Sequence, residues 1–405
     1  MNKDKHIPQG YKDSPLGIIP KEWEVKRLGD VCKISVGRDV QIDHFKETKT
    51  DKFRYPVYSN TVEEKGLYGY YDYEEYCSGA VTVVGRGVGL GTSFARDRGF
   101  GAIGRLVVLH PHNCLRNHFL ENYINNEVKF FVESAAITQL TGEHIATYKI
   151  LIPPLSQQEK MENYINHWDT AIEKQSELIE KLTLRKRALM QQLLTGKKRL
   201  PGFSGKWKHI KLNDIAERIT RKNEKDNKNV VTISAQRGFV VQTDFFNKSV
   251  ASETLDNYFL VYKDEFCYNK SYSNGYPMGA IKRLKAFDKA VVTTLYICFR
   301  LKDKISTNID FFEQYCESGI FNKELVKVAN EGGRAHGLLN VTPSDFFNMH
   351  MSNPNIDEQN AIASVLVNAD KEIELANEKL VNLQSQKRGL MQQLLTGKKR
   401  LKTNN

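Results

Sequence analysis

Several short stretches hold residue types that could do chemistry. His110, His112, Cys114 and His118 are spaced like metal ligands on and after a strand. The corresponding part of the second half of the chain, near Leu301, has no such group, so a polar loop is the preferred reading. Gly85-Arg86-Gly87-Val88-Gly89-Leu90-Gly91 could cradle a phosphate. It fits the G-x-G-x-x-G fingerprint in no frame, and Thr92 to Arg96 is no obvious helix start. A turn that lets backbone approach a polyanion suits it better. Thr195-Gly196-Lys197 lacks the upstream glycine of a P-loop. Pro153-Pro154 lacks the flanking Asp or Asn and the aromatic of an amino-methyltransferase tetrapeptide, and Asn353 to Ile356 misses too. No Ser/His/Asp set or acidic nuclease pattern can be argued. The expectation is a chain with no catalytic residue, no metal site and no cofactor of its own.

What remains is charge. The 405 residues carry a net +11, a balance that suits nucleic acid. The excess is concentrated: nine Lys or Arg and no acid lie between Arg185 and Lys211, and six and none between Gln386 and Lys402. Cations at helix C-terminal ends explain part of this, and a basic surface facing a polyanion or an acidic partner explains the rest. Within otherwise near-neutral stretches, residues 76–120 hold Arg86, Arg96, Arg98, Arg105 and Arg116 against Asp97 alone, and 266–287 hold Lys270, Lys282, Arg283 and Lys285 with no acid. Paired basic faces would suit the phosphates of DNA. Nearby loops carry side chains able to read base edges. They are Tyr58-Ser59-Asn60, Gly85-Arg86-Gly87, Ser234-Ala235-Gln236-Arg237 and Asn269 to Asn274, which includes Tyr272.

The elements that position these loops follow from an internal repeat. KRALMQQLLTGKKRL at 186–200 recurs as KRGLMQQLLTGKKRL at 387–401, fourteen of fifteen positions matching at an offset of 201. The offset runs back to Pro153 and Pro354. Upstream, Trp23, Leu28 and Asp30 pair with Trp207, Leu212 and Asp214; FLENY at 119–123 pairs with FFEQY at 311–315; Gly142 pairs with Gly337. Each half is thus a divergent body followed by a better-preserved tail. The division expected is a body at 1–152, a helix at 153–200, a second body at 201–352, a second helix at 353–401 and a tail at 402–405.

The tails read as long helices. Met161, Ile165, Trp168, Ile172, Gln175, Ile179, Leu182, Lys186, Leu189 and Leu193 alternate in steps of four and three. The second copy places Ile362, Leu366, Ala369, Ile373, Ala376, Leu380, Leu383, Lys387, Leu390 and Leu394 in the same slots. This is an a/d heptad seam, with Gly196 and Gly397 as natural stops. Exposed, it would leave a large apolar stripe, so the two helices are expected to pack together. Trp168 against Ala369 would match large to small. Antiparallel pairing puts the bodies at opposite ends, parallel pairing side by side; the linker from Gly196 to about Lys211 permits the reversal, and antiparallel is the working expectation. Lys186 and Lys387, polar at one seam position, would set register.

The bodies mix strand-like runs (80–84, 106–109, 230–233, 290–299) with helical ones (119–132, 311–328). Each is expected to be α/β or α+β with a curved, mixed sheet. No apolar run is long enough to span a membrane, the first residues lack a secretory h-region, and six scattered cysteines fit a reducing cytoplasm.

Two variable bodies, each followed by a heptad helix ending in Leu-Met-Gln-Gln-Leu-Leu-Thr-Gly-Lys-Lys-Arg-Leu, resemble the specificity subunits of type I restriction–modification enzymes. Leu16 to Trp23, Pro201 to Trp207 and Pro354 to Gln359 add to the resemblance. It covers essentially the whole chain. It implies that each body reads one half of a bipartite, asymmetric double-stranded DNA target. The helices would set the spacer and dock two modification subunits. Those partners would carry S-adenosylmethionine and methylate adenine at N6 on a flipped base, and restriction subunits would add ATP- and Mg-dependent translocation and cleavage. A scaffold that joins partners through its helices without reading sequence is the alternative.

Overall fold

In the computed structural model of the chain, residues 7–131, 139–223, 227–242, 255–303, 305–331 and 339–400 are described. The 402–405 tail and Gly337 lie outside them. The residues form two compact units, 1–176 with 379–405, and 177–378. Each long helix, Leu155–Leu193 and Ile356–Leu395, contributes one portion to each unit.

Each unit is built on a four-stranded antiparallel sheet. In the first the order is Cys32–Val36, Val107–Pro111, Ala80–Val83, Ser93–Arg96. Period-two alternation sends Val81 and Val83 to the face covered by Phe119, Leu120, Tyr123 and Ile124 of helix Asn117–Glu127, and Ala80 to the face with Phe100, Ala102 and Val108. With apolar matter on both sides, all four residues of Ala80–Val83 are buried. The second unit repeats the order as Ala216–Ile219, Ile297–Leu301, Phe266–Asn269, Ala280–Arg283, with Phe266, Tyr268 and Phe299 against Phe311, Phe312 and Tyr315. Among the described residues, strands pair in parallel in the other four-stranded sheet of the first unit, where Gly101–Ala102 runs parallel to Tyr55–Tyr58, and single parallel bridges join Arg38 to Ile103 and Val230 to Val291.

The opening elements coincide. Glu24–Arg27, Leu28–Val31 and Cys32–Val36 return as Lys208–Lys211, Leu212–Ile215 and Ala216–Ile219, and Asp30 and Asp214 each accept from the backbone three residues earlier. The short helices Gly142–Ala146 and Pro343–Phe347 are both capped by a threonine side chain, Thr141 and Thr342. Their offset is 201, so the counterpart of Gly142 is Pro343, not Gly337. Two expected elements each divide. Residues 290–299 become Lys289–Val292 and Ile297–Leu301, separated by a turn closed by Tyr296 N–H on the Thr293 carbonyl. Residues 311–328 become Ile309–Glu317 and Asn322–Val328, broken at Gly319, which is left-handed at φ +73°.

All ten seam positions of each long helix are buried or half-buried, including the expected Ile165, Trp168, Ile172, Ile179, Leu182 and Leu189 and Leu366, Ala369, Ile373, Leu380, Leu383 and Leu390. In the first unit Met161 and Ile165 share a core with Leu390, Met391 and Leu394, and Asp169 meets Lys387. In the second, Met190 and Leu193 share a core with Ile362 and Leu366, and Lys186 meets Asp370. Within each unit, residue numbers rise along one segment as they fall along the other. Trp168 and Ala369 accordingly belong to different units, each next to an aspartate paired with a lysine of the other helix.

Each long helix is pinned to its body by a fully buried glutamine. Gln158 donates to the Pro153 and Cys114 carbonyls (2.7 and 2.9 Å) and accepts from Arg116 N–H at 2.9 Å. Gln359, its counterpart at offset 201, donates to the Pro354 carbonyl at 2.9 Å and accepts from Asn308 N–H at 2.9 Å. Leu155 and Ile356 follow the Pro-Pro and Pro-Asn starts, and Gly196 and Gly397, at φ +69° and +73°, end the helices.

Candidate nucleic-acid interface

In the first unit four loops meet at the ends of the strands. Asn60 Nδ2 donates to the Gly104 carbonyl, and Asn60 Oδ1 accepts from Gly85 N–H at 2.7 Å. Gly104 N–H in turn bonds the Arg38 carbonyl and Arg105 N–H the Gly37 carbonyl, at 2.9 and 3.0 Å. Gly37 is required: a Cβ there would sit 2.7 Å from the Ala102 carbonyl carbon. Arg105 is left-handed (φ +65°), a conformation unusual for a residue with a side chain, and follows left-handed Gly104. The result brings the exposed Arg38, Arg86 and Arg105 around one Asn60-tied junction. Asn60 itself serves the loop framework, and Ser59 is half-buried beside it.

Arg96 and Arg98 lie elsewhere, on and just after the edge strand, in a cleft of about 570 Å³. Arg96 is only 4% exposed. Its guanidinium stacks 3.4 Å from the Tyr58 ring centroid, and donates to Thr82 Oγ1 (2.9 Å) and the Lys65 carbonyl (2.7 Å). Burial pushes its pKa down to about 10, which still leaves it charged at neutral pH. Tyr58 is therefore occupied as a platform under Arg96 and against Phe100.

The second unit differs. Gln236 Nε2 donates to the Asn274 carbonyl at 3.0 Å, bringing together the 234–238 and 270–276 loops, with Tyr272 and Asn274 exposed and Lys270 half-buried. Ser234 is buried and accepts from Arg237 N–H. The basic face expected at 266–287 is largely cancelled. Arg283 pairs with Asp264 (2.5 Å), Asp310 (2.7 Å) and Glu313 (3.2 Å), Lys282 with Glu317 (2.6 Å) and Lys285 with Glu313 (2.6 Å). The acids come from Asp264 just before the 266–287 stretch and from helix Ile309–Glu317, invisible in a window read along the chain. Arg283 is a strut holding the edge strand to that helix, not a free phosphate contact. Arg116, in the first unit, is likewise held by Glu162 at 2.7 Å.

His118 joins Asp97 at 2.9 Å and approaches Glu121, which together raise its pKa; burial lowers that of His110. Among the described residues, no group of three or more His, Cys, Asp or Glu could hold a metal ion, and no helix is long and apolar enough to cross a membrane.

Residues 20–184, which include these first-unit loops, match the family described as type I restriction modification DNA specificity domain. A putative type I specificity subunit of Mycoplasma pneumoniae is 26% identical over 37% of this chain, a match that spans 41% of that relative's own length. The specificity subunit of a type I restriction enzyme of Methanocaldococcus jannaschii is 22% identical over 98% of this chain and 99% of its own. Among solved structures, the S subunit of a type I restriction–modification system from M. genitalium superposes with TM-score 0.54 at 13% identity, covering 92% of this chain and 96% of that one, a likeness of fold.

In the stretch that matches this family, the sequence alone did not point to Arg38, Gln158 and Glu162. Glycine 37 directly before an arginine and the Gln158–Gln359 match at offset 201 were the available signals. Glu162 gave none, because its partners Arg116 and Phe119 N–H are reached only in the fold.

Proposed function

We propose that the chain is the DNA-reading subunit of a type I restriction–modification assembly in the cytoplasm. The bodies at 1–152 and 201–352 each read one half of a bipartite, asymmetric target in double-stranded DNA. The helices at 153–200 and 353–401 pair as one antiparallel coiled coil that sets the distance between half-sites and docks two modification subunits; restriction subunits join that assembly. The chain contributes no catalytic group, and S-adenosylmethionine, ATP and Mg belong to the partners. Base reading falls to side chains on the loop junctions around Asn60 and Gln236, phosphate contact to Arg86, Arg98, Arg105 and Lys270.

The observation that carries this reading is a duplicated frame holding unlike loops. Gln158 and Gln359, and the Lys186–Asp370 and Lys387–Asp169 pairs, recur at one offset, whereas the junction of the first body presents Arg38, Arg86 and Arg105 and that of the second Gln236, Arg237, Lys270, Tyr272 and Asn274. Two half-sites read from one scaffold need that combination. Co-expression with a candidate modification subunit followed by methylome sequencing should yield one bipartite adenine-methylated motif. Replacing 202–352 with another body should change one half of it. Change in both halves or neither removes the modular reading, and salt-dependent but sequence-blind binding by the complex returns the adaptor.

A further inference from the structure

We propose that the cleft of the first unit under Arg96 is a phosphate seat that grips a phosphodiester of the DNA backbone and has no counterpart among the described residues of the second unit. The inference rests on the reading of the chain as a DNA-binding subunit and assigns to this cleft a role distinct from the Asn60 junction.

Five cations line the cleft, Lys49, Arg54, Lys65, Arg96 and Arg98, against two carboxylates, Glu64 and Asp97. Asp97 is taken up by Asn117 and His118. None of the five cations has a carboxylate in ion-pair distance among the described residues. Arg96 is only 4% exposed and has no carboxylate in ion-pair distance, Glu121 acting on its charge from farther off, and a cation so placed is costly unless something anionic arrives. Arg96 is also held on three sides, by the Tyr58 ring, Thr82 and the Lys65 carbonyl. Such a fixed charge at the floor, with exposed Lys49, Arg54 and Arg98 at the rim, suits one tetrahedral anion approached from solvent. Tyr55 and Tyr70 in the walls are half-buried and suit the sugar flanking a phosphate.

The second unit supplies an internal comparison. Val81 and Val83 lie opposite Leu109 and Val107, as Phe266 and Tyr268 lie opposite Phe299 and Ile297. Arg96 lies opposite Ala80, one residue before Val81. The same place one residue before Phe266 is Glu265, whose carbonyl accepts from Leu284 N–H. Leu284 is fully buried in an apolar cluster. Where the first unit holds an unpaired cation, the second holds a leucine, and its neighbouring cations are neutralised by Asp264, Asp310, Glu313 and Glu317.

The test uses the full chain and a mixed-sequence duplex, titrated between ~50 and ~200 mM salt. The triple variant Lys49→Glu, Arg54→Glu, Arg98→Glu changes only exposed side chains, and its denaturation midpoint should match wild type. It should lower affinity alike for unrelated duplexes and flatten the slope of log K against log salt by roughly 1, at ~0.9 per phosphate contact. Lys285→Gln in the second unit should leave the slope as it is. Wild-type affinity and slope in the triple variant would overturn the seat while leaving DNA binding intact. Inorganic pyrophosphate binding that the triple variant abolishes, with duplex binding unchanged, would replace the backbone assignment by a free-anion site. A wild-type chain that ignores duplex altogether would remove both this inference and the reading beneath it.

Discussion

Lys186 Nζ lies 2.5 Å from Asp370 Oδ1, and the same pair recurs at offset 201 as Lys387 and Asp169, also at 2.5 Å. Each lysine occupies a seam slot where an apolar residue would pack, and each reaches an aspartate on the other long helix. A lysine whose side chain is 17% or 21% exposed must find a carboxylate, so only registers that supply one are tolerated. Asp370 also accepts from Gln314 Nε2 at 2.6 Å, which ties the helix pair to helix Ile309–Glu317 of the second body.

The pair sets register more than it adds stability. Lys387→Asp should lower stability by ~0.5–1 kcal/mol, and adding Asp169→Lys should recover most of it. Urea midpoints of the two single variants and the double variant give the coupling. Additive losses would show that the lysine and aspartate act independently.

The glutamine pins should matter more. Gln158→Leu leaves the Arg116 N–H and the Cys114 and Pro153 carbonyls without a side-chain partner in a buried place, at a cost of ~2–4 kcal/mol. Equilibrium unfolding should show this loss, and Gln359→Leu should show a similar one. A change below ~0.5 kcal/mol would mean that water or a rearranged loop takes over these groups.

The two helix stops should respond unequally to the same change. Both Gly196→Ala and Gly397→Ala place a side chain in the left-handed region, at ~1 kcal/mol. At Gly397 the new Cβ would also sit 2.5 Å from Pro20 Cδ, whereas at Gly196 its nearest neighbour is the Trp207 ring at 3.5 Å. Thermal melts should therefore rank Gly397→Ala clearly below Gly196→Ala.

His118 predicts a pH dependence. Its hydrogen bond to Glu121, with the charges of Asp97 and Glu121, raises its pKa above 6.5 in the folded protein. Its contribution is therefore fully present below the unfolded value and is lost as pH rises through the folded one. Wild type should lose some stability relative to His118→Gln as pH climbs from below 6.5 into the alkaline side of neutrality. The effect is small, since the imidazole is 40% exposed. Parallel pH–stability curves for the two proteins would place the titrating group elsewhere.

The arginines of the Asn60 junction are open to a direct check. Arg86→Glu with Arg105→Glu should weaken duplex binding at ~0.1–0.2 M salt without altering the unfolding midpoint. Arg105→Glu alone keeps a left-handed residue at φ +65°, so backbone strain is unchanged by the swap. Unaltered affinity would move the phosphate contacts away from this junction.

Much of the frame was legible before folding. A heptad seam exposes its period because every third or fourth residue must leave water, and all twenty slots read that way are shielded. Strand Ala80–Val83 was visible because both of its faces are apolar. The break at Gly319 was visible only as a glycine, since nothing local says that its φ is positive.

The amino-acid sequence by itself determined the duplication, the two long helices with their glycine stops, and the lysines at matching seam slots, because these depend on spacing along one chain. Tertiary structure alone decided which cations remain free. Arg96 and Arg283 look alike in a basic window, yet one is stacked on Tyr58 with no carboxylate in ion-pair distance among the described residues and the other is enclosed by Asp264, Asp310 and Glu313. Coulomb interactions act over a few ångströms of space whatever the separation in sequence, so charge counted along the chain cannot tell a neutralised strut from an open site.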